Sequence, residues 1–215
     1  IDDILEISTL ETKQNNPENA EFFLNEFMME LFSIFSLKTN ERHIPMYLKK
    51  GLSDEDSCII TDKSKLHKII SNLLENAVKF TVEGNIEFGY YLEEKKLVFY
   101  VKDTGIGISS SNFDIIFDRF SQEDKSIALN HGGLGLGLSI SRENAQLLGG
   151  DITLESKKGI GSTFFLTIPY TPAESGKDKS KEEISHSDDL NKEKKIILIA
   201  EDEMINYMYL EAILE

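Results

Sequence analysis

Residues 63–80 read KSKLHKIISNLLENAVKF, and the spacing of their apolar positions decides how the rest is read. Leu66, Ile69, Ile70, Leu73, Leu74 and Ala77 recur at the intervals of a helix with one buried side. Thr61-Asp62 offers a cap, so the helix is expected to run to about Phe80. Asn72, Asn76 and Lys79 then fall together on a second, polar face, the two amides stacked at i, i+4. Such a face can hold a hydrated metal and phosphates, because Mg²⁺ keeps most of its waters and takes few protein oxygens. Taken alone, two Asn at this spacing are more commonly explained as the polar outer face of an amphipathic helix.

Outward from this helix, Asn85 to Leu92 and Lys96 to Asp103 suit two strands of a hairpin turned at Glu93-Glu94-Lys95. Asp103-Thr104-Gly105-Ile106-Gly107-Ile108 follows at once. A carboxylate at a strand end can accept a hydrogen bond from an exocyclic amine such as adenine's, and the glycines let backbone approach a flat ligand. A purely structural turn would use the same residues. Thr104 to Gly137 alternates glycine with polar residues, with helix expected only over Asn112 to Phe120; a stretch of that length reads as a lid or binding element. Gly132-Gly133-Leu134-Gly135-Leu136-Gly137 opens a helix from Gly137 to Leu148, so its free amides form an anion site, and Gly149-Gly150 stop the helix. Strands near Asp151 to Ser156 and Ser162 to Pro169 complete the expected fold class: an α/β (α+β) two-layer sandwich, a mixed sheet with helices on one face.

Towards the N-terminus, Leu24, Phe27, Met28, Leu31 and Phe35 mark a helix over Leu24 to Leu37, with a short strand at Ile44 to Leu48 and a solvated turn at Asp54-Glu55-Asp56. Ile1 to Thr12 reads as the tail of a longer helix, stopped at Asn15-Asn16-Pro17. Beyond Pro169, Thr171 to Lys195 is poor in apolar residues and mixes acids with bases, as a flexible linker does. Ile196 to Ala200 then suits a buried parallel strand, followed by a helix from about Ile205. The expected divisions are 1–15, 18–170, 171–195 and 196–215.

Composition limits the function classes. The 215 residues hold 23 Lys+Arg against 38 Asp+Glu, a net charge of −15 with pI near 4.7. That balance argues against non-specific binding to nucleic acid or anionic lipid. Cys58 is the only cysteine, so no internal disulfide can form, and a cytoplasmic location is expected. The apolar runs Leu97 to Val101 and Ile196 to Ala200 are far shorter than the ~20 residues that span a bilayer; a membrane anchor of a longer parent would lie outside this stretch. No Gly-x-x-x-x-Gly-Lys-Ser/Thr string occurs, and the glycines of 132–137 follow a long loop rather than the strand a Rossmann turn requires.

In this order the elements resemble the ATP-binding catalytic domain of sensor histidine kinases, in the Bergerat-type superfamily shared with gyrase, MutL and the heat-shock chaperone ATPases. Asn72 to Phe80 resembles the N box, Asp103 to Ile108 the first glycine box, Ile116-Phe117-Asp118-Arg119-Phe120 the F box and Gly132 to Gly137 the second glycine box. Gly159-Ile160-Gly161-Ser162-Thr163-Phe164 resembles the last box, so the match covers roughly Asp62 to Pro169. The resemblance implies ATP and Mg²⁺ as cofactors, with Asn76, Lys79 and Arg119 as the catalytic set. It makes Asn76 the Mg²⁺ ligand with Asn72 beside it, and Lys79 and Arg119 phosphate contacts. Asp103 would bind the adenine amine, Phe80 would line the base pocket, and Thr163 would assist at its rim. Gly105 and Gly107, then Gly133, Gly135, Leu136 and Gly137, would form the backbone edges of the nucleotide site, while Phe117 and Phe120 would pack the lid against the body.

The hydrolysing relatives carry Glu where this chain has Asn72, and a neutral amide cannot act as general base. Glu75 lies off the direction of Asn76 on the helix, at ~100° per residue, and is not assigned that role. ATP is therefore expected to be held for transfer to a histidine. His43, His67, His131 and His186 all lack the family's acceptor context, so the acceptor is expected outside this chain, and the chain alone is expected not to autophosphorylate. Ile1 to Ser8 resembles the end of the family's second dimerisation helix, which implies a phosphoacceptor helical domain and a homodimer as partners. Ile196 to Glu203 resembles the first strand of a receiver domain, with Glu201 and Asp202 as its Mg²⁺ ligands; together these imply a hybrid kinase. Many relatives carry Arg where this chain has Leu129, and Thr or Ser at Leu134, which leaves Lys125, Arg119 and backbone amides for the phosphates. A self-contained ATPase and a non-enzymatic nucleotide-binding module are the alternative readings.

Overall fold

A computed structural model describes residues 16–121 and 135–173. In chain order the elements are β1 (Ala20–Phe23), α1 (Leu24–Glu41), β2 (Met46–Lys49), β3 (Cys58–Thr61), α2 (Lys63–Phe80), β4 (Ile86–Glu93), β5 (Lys96–Asp103), α3 (Gly137–Leu147), β6 (Asp151–Lys157) and β7 (Gly161–Pro169). Helix α2 starts where the sequence places its cap: the Asp62 carboxylate accepts from the Lys65 N–H at 2.9 Å, satisfying one of the orphan amides of the first turn. Its other oxygen accepts from the Glu18 N–H at 2.9 Å, and Lys65 Nζ lies 3.4 Å away. Burial pushes this carboxyl up, but those backbone donors and the Lys65 charge outweigh it and hold the group below its ordinary value.

The main sheet runs β2-β4-β5-β7-β6, with β2 parallel to β4 and every other pair antiparallel. Its register aligns whole rows of side chains on the helix-facing side. Tyr90, Phe99, Leu166 and Ile152 form one row, and Phe88, Val101, Phe164 and Leu154 the next. These rows pack against Leu66, Ile69, Ile70, Leu73 and Leu74 of α2 and Leu24, Phe27 and Leu31 of α1 in a single core. The following row is Ile86, Asp103, Ser162 and Ser156. The sheet thus turns polar at one end, on the side facing the helices. Helix α3 closes with a left-handed Gly149, whose N–H donates to Gln146 O while Gly150 N donates to Ala145 O, the paired bonds of a glycine-stopped C-terminus.

The structure departs from the sequence expectations in four places. β1 and β3 pair as a separate two-stranded antiparallel sheet, and Thr61 ends β3 instead of capping α2. These two four-residue strands carry too little alternation to have been read in advance. The helix expected over Asn112 to Phe120 is only two 3-10 turns, Ser110–Asn112 and Ile115–Phe117; Ile116 alone is buried in them, which is too little apolar anchorage to offset helix nucleation. The strand expected from Ile44 starts at Met46, because Ile44 plugs the core and its N–H still bonds Thr39 O at the end of α1. Thr171 to Ala173, assigned to the linker, pair with β3: Ile60 N donates to Thr171 O, Ala173 N to Cys58 O, and Ala173 is buried. The readings of 1–15 and of 174–215, Glu201 and Asp202 included, lie outside the described residues. Among the described residues no helix is long and apolar enough to cross a membrane.

Candidate functional site

The C-terminal half of α2 forms one wall. Asn72, Asn76, Lys79 and Phe80 are all half-buried along it. Asn72 Nδ2 donates to Ser141 Oγ of α3 at 2.8 Å, and a Cβ on Gly137 would come within 2.3 Å of Asn72 Oδ1. A Cβ at the start of α3 would displace the Asn72 side-chain amide, and with it the bond to Ser141. No hydrogen bond ties the Asn76 amide to another described residue. Lys79 Nζ lies 5.0 Å from the Phe80 ring centroid. Glu75 points elsewhere: its exposed side chain sits 3.8 Å from Lys38 of α1.

The second wall is the turn after β5. Asp103 is buried and accepts from the Gly105 N–H at 2.8 Å and from the Ser162 N–H. Burial pushes its carboxyl up, more than those two donors pull it down. The turn is stapled to both neighbours: Ile106 N donates to Phe80 O at 3.3 Å, and Gly159 N donates to Ile106 O at 2.7 Å. Gly107 has φ +62°, and a Cβ there would lie 2.1 Å from Lys157 O, so the residue is required both by its backbone angle and by close approach. The N box and the first glycine box are thereby joined through Phe80, and the N box and α3 through Asn72.

Arg119 pairs with Glu143 of α3, Nη2 to Oε1 at 3.0 Å, which sets it beside the same helix that Asn72 reaches. Phe117 packs against the core and carries the Arg142 guanidinium 5.0 Å over its ring. Two expectations need correction, for Phe120 and Thr163. Phe120 does not pack onto the body: it is 69% exposed, with its N–H bonded to Gly135 O. Leu136, expected on the backbone edge of the site, buries its side chain, at 1% exposed, and the expectation concerns its backbone alone. Thr163 pairs with Lys102 and Glu155, and side chains alternate along β7, so it lies on the face of the sheet opposite Asp103. Ser162 occupies the place beside Asp103. The two-residue period separates Ser162 from Thr163, but only the β5–β7 register decides which of the two meets Asp103, so no signal in the sequence alone would have found it. Gly133, Lys125, Leu129, Leu134 and His131 lie outside the described residues. His67 is exposed on α2 with its ring edge-on to Phe27, and His43 is exposed after α1.

Mg²⁺ bound through ligand phosphates and water needs few protein oxygens, and the Asn76 amide, which bonds no other described residue, fits that need. Among the described residues no group of three His, Cys, Asp or Glu stands ready to cage a metal.

A family model described as histidine kinase-, DNA gyrase B-, and HSP90-like ATPase matches residues 61–172. The autoinducer 2 sensor kinase/phosphatase LuxQ of Vibrio harveyi is 35% identical over 180 residues, which cover 81% of this chain and 21% of LuxQ. The chain thus spans about a fifth of that relative's length. Full-length ShkA in complex with AMPPNP superposes with a TM-score of 0.72 at 25% identity, over 80% of this chain and 35% of ShkA. The catalytic domain of histidine kinase ThkA, nucleotide-free, gives 0.62 at 29% identity over 72% of this chain and 99% of that domain. Boxes, fold and relatives agree: the chain carries a histidine kinase-type ATPase domain and belongs to the family of histidine kinase-, DNA gyrase B-, and HSP90-like ATPases.

Proposed function

We propose that this chain holds Mg-ATP and presents its γ-phosphoryl group to a histidine on an adjacent helical domain, as the catalytic part of a hybrid sensor kinase. The observation that supports the reading is that the N box is bonded on one side to the first glycine box, through Ile106 N to Phe80 O, and on the other to α3, through Asn72 Nδ2 to Ser141 Oγ. Asp103 would accept the adenine amine and Phe80 would line the base. Asn76, with Asn72 beside it, would hold the magnesium ion, which when bound supplies charge neutralisation at the phosphates. Lys79 and Arg119 would contact the phosphates, so that positioning and electrostatics carry the transfer. Asn72 provides no carboxylate to activate water, and Glu75, the nearest acid on α2, is turned to Lys38; slow hydrolysis is the consequence. Residues 1–15 would end the phosphoacceptor hairpin of a homodimer, and 196–215, with Glu201 and Asp202 as Mg²⁺ ligands, would begin a receiver that takes the phosphoryl group onward.

The test is calorimetric titration of the chain with a non-hydrolysable ATP analogue, with and without Mg²⁺, repeated on Asp103→Asn and Asn76→Ala. Binding strengthened by magnesium, weakened by the first variant and made magnesium-insensitive by the second is expected. Absence of binding, or binding indifferent to both variants, would overturn the assignment. Rapid multiple-turnover phosphate release would favour a self-contained ATPase instead.

A further inference from the structure

The polar row at the end of the sheet contains a hydroxyl whose bonding is fully determined. Ser156 on β6 faces Ser162 on β7 directly. Its Oγ accepts from the Ile108 N–H at 2.8 Å, donates to Gly161 O at 2.9 Å and lies 3.0 Å from Ser162 Oγ. A serine hydroxyl has one proton and two lone pairs. The Gly161 carbonyl has no proton to give, so it takes the only one Ser156 has. Ile108 N–H fills one lone pair, and the contact with Ser162 can be made only if Ser162 is the donor. That spends the Ser162 proton and leaves its oxygen as an acceptor. Asp103, whose carboxylate already accepts from the Gly105 N–H and the Ser162 N–H, sits beside it in the same row.

Resting on the nucleotide reading above, we infer that Ser156 is a positioning residue for base recognition: it fixes Ser162 as an acceptor next to Asp103, so this edge favours a purine with an amino group at position 6 over one with an oxo group. The same hydroxyl pins Ile108, the last residue of the first glycine box, to the β6–β7 corner. Without it, the Ser162 hydroxyl is free to rotate and offer its proton, and a donor there suits a 6-oxo purine. Ser156 does not need to touch the ligand to act in this way.

The readout is a ratio of affinities, which loss of stability alone does not move. The chain is titrated with the β,γ-imido analogues of ATP and of inosine triphosphate. The unaltered protein is expected to prefer the 6-amino analogue. Ser156→Ala should lower that preference by about fivefold, the scale of one net hydrogen bond, and Ser156→Thr should restore it. Ser162→Ala, which leaves Ser156 in place, should lower the preference similarly, and the double variant should add little further because both changes break one network. Equal weakening of the two analogues in Ser156→Ala, or an unchanged preference in both Ser156→Ala and Ser162→Ala, overturns the role of Ser156 while leaving nucleotide binding intact. If the unaltered chain binds neither analogue, the nucleotide reading falls first and this inference falls with it.

Discussion

Gly107 and Gly159 make a matched pair of perturbations, because both have left-handed backbones, at φ +62° and +81°, yet differ in what surrounds them. A Cβ at Gly159 meets nothing within 4 Å, whereas one at Gly107 would sit 2.1 Å from Lys157 O and 2.7 Å from Lys157 C. Gly159→Ala therefore carries only the backbone penalty, about 1 kcal/mol for an L-residue in that region. Gly107→Ala carries the same penalty and must also push the first glycine box away from the β6–β7 corner. That movement breaks the Gly159 N to Ile106 O bond, about 1 kcal/mol, and adds overpacking of about 1–2 kcal/mol against backbone that cannot rotate aside. The totals are about 1 against about 3–4 kcal/mol. For a domain of this size they correspond to losses of about 2–4 °C and about 6–16 °C in melting temperature, measurable by differential scanning calorimetry. The Gly107 variant should also bind the ATP analogue more weakly, because the displaced turn carries Gly105 and hence the orientation of Asp103. Equal losses in the two variants would refute the argument that close approach, and not the backbone angle alone, requires glycine at 107.

Asp62→Ala removes the cap of α2 and the acceptor for Glu18 N–H, so a loss of about 2 kcal/mol is expected in chemical denaturation. Because the native Asp62 carboxyl lies below its ordinary value of 3.8, its contribution is fully present above that value and is lost as the pH falls through the native one; the difference between wild type and variant should shrink over that acid range. Asp103 has the opposite sign. Its native carboxyl is raised, so between 3.8 and the native value the folded state holds more of the proton, and stability from this group falls as the pH rises through that window. Affinity for the ATP analogue should rise over the same window, and Asp103→Asn should flatten both curves. Glu143→Gln opens a partly exposed ion pair worth about 0–1 kcal/mol, so the melting temperature should change by no more than about 4 °C; a larger fall would mean that Glu143 supports the fold beyond its pairing with Arg119.

The sequence by itself determined the elements whose periodicity is long. Eighteen residues with apolar positions at helical spacing fixed α2, and its second face, Asn72, Asn76 and Lys79, could be read from the same period. The β4–β5 hairpin and the Asp103 turn were legible because eight-residue strands show their boundaries and glycine marks a backbone constraint directly. Two short elements were not legible: β1 and β3 have four residues each, and their pairing depends on partners 35 to 41 residues apart in the chain, Ala20 with Thr61 and Phe23 with Cys58. Only the tertiary structure decided which side chains share a face across strands. A register shift of one residue exchanges the two faces of a strand, and that is what separates Ser162, beside Asp103, from Thr163 on the far side of the sheet. The same holds for Asn72 and Ser141, or Arg119 and Glu143: local pattern sets each residue's direction on its own helix or loop, but long-range packing alone sets which direction meets another.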